Sequence, residues 1–177
     1  MRSVWITRSG PPEALEVRDG PDPVAGPGQV LIRVRASGVN FADVMARLGF
    51  YPDAPPRPCV VGYEVAGTVD RVGPGTDGDL APGRRVVALT RFGGYAEAVA
   101  VPAAQVFPLP DPIGFEEAAA IPVNYLTAVL MLRYFGNVKR DSYKPSVIST
   151  VSRNSCVMLS TAALSSSGEL PRCSNVC

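Results

Sequence analysis

The chain has 177 residues, 46% of them hydrophobic, a formal net charge of +1 and no histidine. This composition argues against global disorder and against a polybasic nucleic-acid or membrane-surface binder, and it rules out any metal site built on imidazole. Cys59, Cys156, Cys173 and Cys177 offer no Cys-x-x-Cys spacing, so neither a structural zinc nor a disulfide framework is expected.

The first ten residues, MRSVWITRSG, lack the apolar core of a signal peptide. The longest apolar stretch, around VLMLRYF, is short for a membrane span and carries Arg133. No transmembrane segment and a cytoplasmic location are expected. QVLIRVRASGV, from Gln29 to Val39, alternates apolar and polar residues. It sets Val30, Ile32, Val34 and Ala36 on one face and Arg33 and Arg35 on the other, the pattern of a half-buried strand. FADVMARLG, from Phe41 to Gly49, predicts a helix with Phe41, Val44, Met45 and Leu48 on one face and a glycine stop.

Further short strands are expected at Glu64 to Gly73, Arg85 to Thr90 and Gly94 to Pro102, separated by Pro/Gly runs such as GPGTDGDLAPG and RFGG. Repeated short strands with turn signals predict a curved antiparallel sheet or small barrel. Glu116 and Glu117 form an adjacent acidic pair, but they follow Asp111-Pro112 at a helix start, where acids suit the helix dipole. IPVNYLTAVLMLRYFGN predicts a second helix with Pro122 at its start and Gly136 at its end. It is apolar nearly all round, which calls for partners on several sides.

A composition break follows. Arginine is the only basic residue up to Gly136, whereas Lys139 and Lys144 come after it, and from Asp141 serine dominates. The expected organisation is a domain over 1–121, an apolar connecting helix over 122–139 and a disordered Ser-rich tail over 140–177.

ASGVNFADVMARLGFYP, GYEVAGTVDRVG, GYAEAVAVP and FEEAAAIPVNYLTAVLML, in this order and spacing, resemble the zinc-free medium-chain dehydrogenases/reductases. The resemblance is to quinone oxidoreductases, in particular their vesicle-amine-transport-protein-like branch, and runs from Met1 to about Lys139. It implies a mainly β, GroES-like, partly open barrel with a few helices. In that family a dinucleotide-binding Rossmann domain follows, and its glycine-rich turn is not found after Lys139 in this sequence. Two departures, Val61 for a proline and Arg84 for an aspartate, fall in turns.

The resemblance also implies a chemistry. Tyr63 stands where zinc relatives have a histidine ligand, and Ser37 lies in the region of a cysteine ligand, so no zinc is expected. Without a Lewis acid, the substrate must already be activated, as a quinone or conjugated enone is, with NADPH as the family's hydride source. Tyr51 matches a family tyrosine at the nicotinamide end, and its phenol is also able to donate to a substrate oxygen. Asn40 matches an asparagine at the pocket floor and is equally suited to cap the helix at Phe41. Thr127 matches a threonine facing the cofactor, and Asn124 shares its helix face. Read from the residues, Thr127 is as well explained by bonding to its own helix backbone, and Glu64 as a buried acid satisfied by backbone donors.

The expected function is zinc-independent NADPH-linked reduction, in a chain that lacks the cofactor domain, is inactive alone and binds no cofactor tightly. The alternative is a non-catalytic binding or regulatory module that pairs with another chain. Partners would be the small-molecule substrate and another copy or a full-length relative, with no nucleic acid.

Overall fold

The computed structural model describes residues 1–76 and 79–137. The expectations for the serine-rich segment over 140–177 lie outside the described residues.

Among the described residues, seven strands make two antiparallel sheets. The larger is built from β3 (Gln29–Ser37), β4 (Glu64–Val72), β5 (Arg85–Leu89), β6 (Ala98–Pro102) and β7 (Val106–Pro108), in the order β6-β3-β4-β5-β7. The smaller is a hairpin of β1 (Arg2–Ile6) and β2 (Leu15–Asp19). The described residues are thus mostly β with open sheets: β6 and β7 remain the two edges of the ladder, and no closed barrel forms.

The alternation in β3 has a physical outcome. Val30 and Ile32 are fully buried and pack with Val65, Val69, Val86, Ala88, Val99 and Val101. Burying each such side chain contributes roughly 1.5–3 kcal/mol, so this cluster dominates the sheet's stability. The alternation is not strict, because Leu31 is buried too. Register shifts against β4 at Leu31/Ile32 and Val34/Ala36 are bulges that bend the strand. β6 begins later than the residue pattern predicts. Gly94 and Tyr95 instead donate their N–H groups to Gly62 and Val61, and Ala96 bridges Ser3.

The helices are α1 (Phe41–Leu48), α2 (Phe115–Ala119) and α3 (Pro122–Val129). Past α3 the helix widens into a π-type segment, Leu130–Phe135, where a uniform helix was expected. α1 ends as predicted at Gly49, in the left-handed conformation. Its orientation corrects the sequence reading: Phe41 and Leu48 are exposed, while Asp43 and Ala46 are the buried residues. Hydrogen bonds explain the rotation, since the Asp43 carboxylate accepts two backbone N–H groups in the interior. The hairpin β1–β2 and strand β7 were not anticipated; every residue of β2 is exposed, so no apolar alternation marks it.

Candidate functional site

Three chain segments converge beyond one end of β3 and β4: the β3–α1 connection, the entry to β4, and the start of α3. Gly38 and Glu64 make the first link, with the Gly38 N–H donating to the Glu64 carbonyl at 3.2 Å. A side chain at Gly38 would lie 2.6 Å from the Ala119 carbonyl and collide with the Glu64 carboxylate, so only glycine fits. Asn40 takes the N-cap position of α1, and its Nδ2 donates to Glu64 Oε1 at 3.0 Å. The Val123 N–H, in the first turn of α3, donates to Glu64 Oε2 at 2.8 Å. Glu64 is wholly buried, so both carboxylate oxygens are satisfied from within. Its donors are one side chain and one backbone group, where backbone donors alone were expected.

Asp43 forms a second node. Its Oδ2 accepts from the Asn40 N–H at 2.9 Å and its Oδ1 from the Gly62 N–H at 3.0 Å. Thr90 Oγ1 donates to the Gly62 carbonyl at 2.6 Å. Gly62 is thereby pinned on both sides in a backbone conformation, φ 103°, that side chains resist. The next residue, Tyr63, is delivered by this pinned turn. Its ring meets Tyr51 edge-on, with centroids 6.1 Å apart, and packs on Phe92 at 5.5 Å. Ser37 Oγ is committed to the Gly94 carbonyl at 2.6 Å.

Burial governs the electrostatics. It pushes the Glu64 carboxyl above the ordinary carboxylate range against the opposing Val123 N–H and Asn40 amide, with the Asp43 charge adding to the rise. Asp43 is raised for the same first reason, opposed by the Asn40 N–H. The phenols of Tyr63 and Tyr95 are both raised well above the usual tyrosine value, first by burial. Neither the Tyr63 nor the Tyr95 hydroxyl has a hydrogen-bond partner among the described residues.

The residues singled out from the sequence are thus distributed in two groups. Asn40 meets the start of α3 through Glu64, and Asn124 lies in that first turn, its Nδ2 donating to the Ala120 carbonyl at 3.1 Å. Tyr51 joins Tyr63 and Phe92 in an aromatic cluster. Thr127 is exposed on α3. Asp43, Thr90 and Tyr95 went unnoticed in the sequence. An acid three residues after an Asn at a helix start is a capping-box signal that marks Asp43.

Among the described residues, no three His, Cys, Asp or Glu side chains are grouped to hold a metal ion. Ser37 and Tyr63, which the resemblance sets against metal ligands, are a hydroxyl committed to a backbone carbonyl and a phenol kept protonated by burial, a poor donor set for zinc. A groove of 380 Å³ elsewhere, lined by Arg84, Arg85, Leu109, Pro110 and Asp111, shares no residue with this cluster. Its Arg85 is spent on the carbonyls of Asp111 and Ile113. No described helix is long and apolar enough to cross a membrane.

Residues 26–111 match the alcohol dehydrogenase GroES-like domain. This chain is 50% identical over 125 residues to the synaptic vesicle membrane protein VAT-1 homolog of Mus musculus, covering 71% of this chain and 30% of that protein. Among solved structures, the human VAT-1 homolog-like protein aligns with a TM-score of 0.75 and 36% identity, over 78% of this chain and 45% of that one. Quinone oxidoreductase of Escherichia coli, complexed with NADPH, aligns with a TM-score of 0.71 and 31% identity, over 76% of this chain and 41% of that one. The chain therefore spans about a third of the length of the curated mouse relative, and its relatives are of an oxidoreductase kind.

Proposed function

We propose that this chain supplies the substrate-side domain of a zinc-independent oxidoreductase that uses NADPH to reduce quinones or conjugated enones. The observation that carries the reading is Tyr63, which the resemblance sets where a zinc enzyme has a metal ligand, and whose ring meets Tyr51 edge-on with its hydroxyl buried. A protonated phenol is unsuited to zinc.

When bound, NADPH would supply the hydride, and an enone or quinone accepting it would collect negative charge on its oxygen. Donors already aimed at that oxygen stabilise it, and a proton from solvent completes the two-electron reduction. In this chain, Tyr51 would be the donor and would sit at the nicotinamide end. Asn40, which donates to Glu64, would brace the pocket floor. Asn124 and Thr127 would face the nicotinamide from α3.

The described residues fit only that end of the cofactor. A pyrophosphate needs free N–H groups at a helix start, and at α3 the Val123 N–H is already given to Glu64. The described strand pairs are all antiparallel, so no βαβ unit is among them. Catalysis then requires a dinucleotide-binding unit beyond residues 1–137.

A second reading, a non-catalytic module that pairs with another chain, draws on the exposed apolar side chains of α3 and the π-type segment. Tyr125, Met131, Tyr134 and Phe135 are each at least 61% exposed. Turnover separates the two readings. Residues 1–137 joined to the cofactor domain of the E. coli enzyme should consume NADPH with a quinone and not with a simple saturated ketone. A folded, NADPH-binding chimera that reduces no quinone would leave only the module reading.

A further inference from the structure

A helix start leaves its first backbone N–H groups without partners inside the helix, and a side chain at the N-cap usually takes one of them. α3 has no such cap of its own. Ile121 stands at its N-cap position with a side chain that accepts nothing, and Pro122 follows with no N–H to give. The Val123 N–H is the first that needs an acceptor. It finds Glu64 Oε2 at 2.8 Å, 59 residues earlier in the chain. The cap of α3 is therefore lent by β4, and a carboxylate also suits the positive end of the helix dipole.

Little else holds this helix down. Pro122 is buried and α3 approaches β5, yet from Tyr125 to Phe135 only Ala128 and Leu132 are partly covered. α2, directly before it, is anchored differently, with Ala118 and Ala119 buried among Ala36, Ala66 and Leu109. α3 thus leaves a fixed point and is steered by its first turn. The second oxygen of the same carboxylate, Oε1, accepts from Asn40 Nδ2 at 3.0 Å, where α1 begins. Two helix starts meet on one buried charge.

We infer that Glu64 is a positioning residue: its carboxylate caps α3 from β4 and, through Asn40, ties the direction of that helix to the start of α1. α3 carries Asn124 and Thr127 and leads towards the chain beyond residue 137. On the oxidoreductase reading, this pin sets how the nicotinamide end meets the substrate side. That use rests on the reading, whereas the tie itself is measurable without substrate or cofactor.

The pairing has a polarity: Glu64 accepts twice, so both neighbours must donate. Asn40→Asp keeps an equally good N-cap residue for α1 but sets an acceptor against Glu64. Hydrogen exchange of the purified full-length chain is read by mass spectrometry, at mildly alkaline pH so that the two carboxylates do not share a proton. Peptides of α3 should exchange roughly fivefold faster or more in this variant, with α1 and the β3–β4 pair unchanged. Adding Glu64→Gln reverses the polarity, since its amide donates to the new carboxylate while its carbonyl accepts from Val123. Protection of α3 should then return to the wild-type level. Asn40→Ser, which also caps α1 but is too short to reach Glu64, should loosen α3 alone if the aspartate variant does not fold. The tie is overturned, and the oxidoreductase reading left untouched, by any of four results. These are a wild-type α3 without protection, no change in α3 on Asn40→Asp, an equal rise throughout the domain, or no recovery in the double variant.

Discussion

Glu64 and Gly38 depend on each other at the scale of single residues. The carboxylate fills the volume that a side chain at position 38 would need, and it receives Asn40 and Val123 there. Gly38→Ala forces either that carboxylate or the Ala119 carbonyl to move, and overpacking of this kind costs about 1–3 kcal/mol. Chemical denaturation should show a loss of that size, and wild-type stability would mean that the contact is loose. Asn40 was legible in the sequence as a residue with two candidate roles, and the structure lets it take the N-cap position while its amide serves Glu64. Asp43 carries a capping-box signal, but its burial was not legible, because an acid on a helix with four apolar residues reads as the solvent side. Only the long-range acceptance of the Gly62 N–H shows that it points inward.

At the scale of elements, Glu64 ties β4 to α3, and its burial gives that tie a pH dependence. The folded-state pKa is raised above the ordinary 4.5, so the folded state holds the proton more tightly than the unfolded chain. The stability associated with the protonated form is present below about pH 4.5 and declines as pH rises through the raised folded value. Glu64→Gln cannot titrate. The melting temperature of the wild type relative to this variant should therefore fall as pH is raised from 4.5 towards neutrality. A difference that instead grows with pH would show that the two donors outweigh burial and that the carboxylate is favoured in the fold. The helix itself was legible from Pro122 and Gly136, which mark its two ends. Its passage into a π-type segment at Leu130 was not, since no residue there departs from helical composition. Strands β3 to β6 were legible because alternation and glycine turns bound them. β2, exposed along its whole length, carries no such signal.

At the scale of the whole molecule, the account rests on a metal-free substrate site carried by a GroES-like domain. The family was legible from motifs in fixed order, and the fold confirms the mainly β architecture. The convergence of Tyr51, Tyr63 and Phe92 was not, because these residues lie far apart in sequence and meet only through the pinned turn at Gly62. The most direct measurement is quinone-dependent NADPH consumption by the chimera of residues 1–137 with the E. coli cofactor domain, before and after treatment with a strong zinc chelator. The account predicts the same rate in both states, because on the proposed reading a phenol hydroxyl, and not a metal, would stabilise the charge on oxygen. Activity that disappears on chelation and returns with added zinc would contradict it.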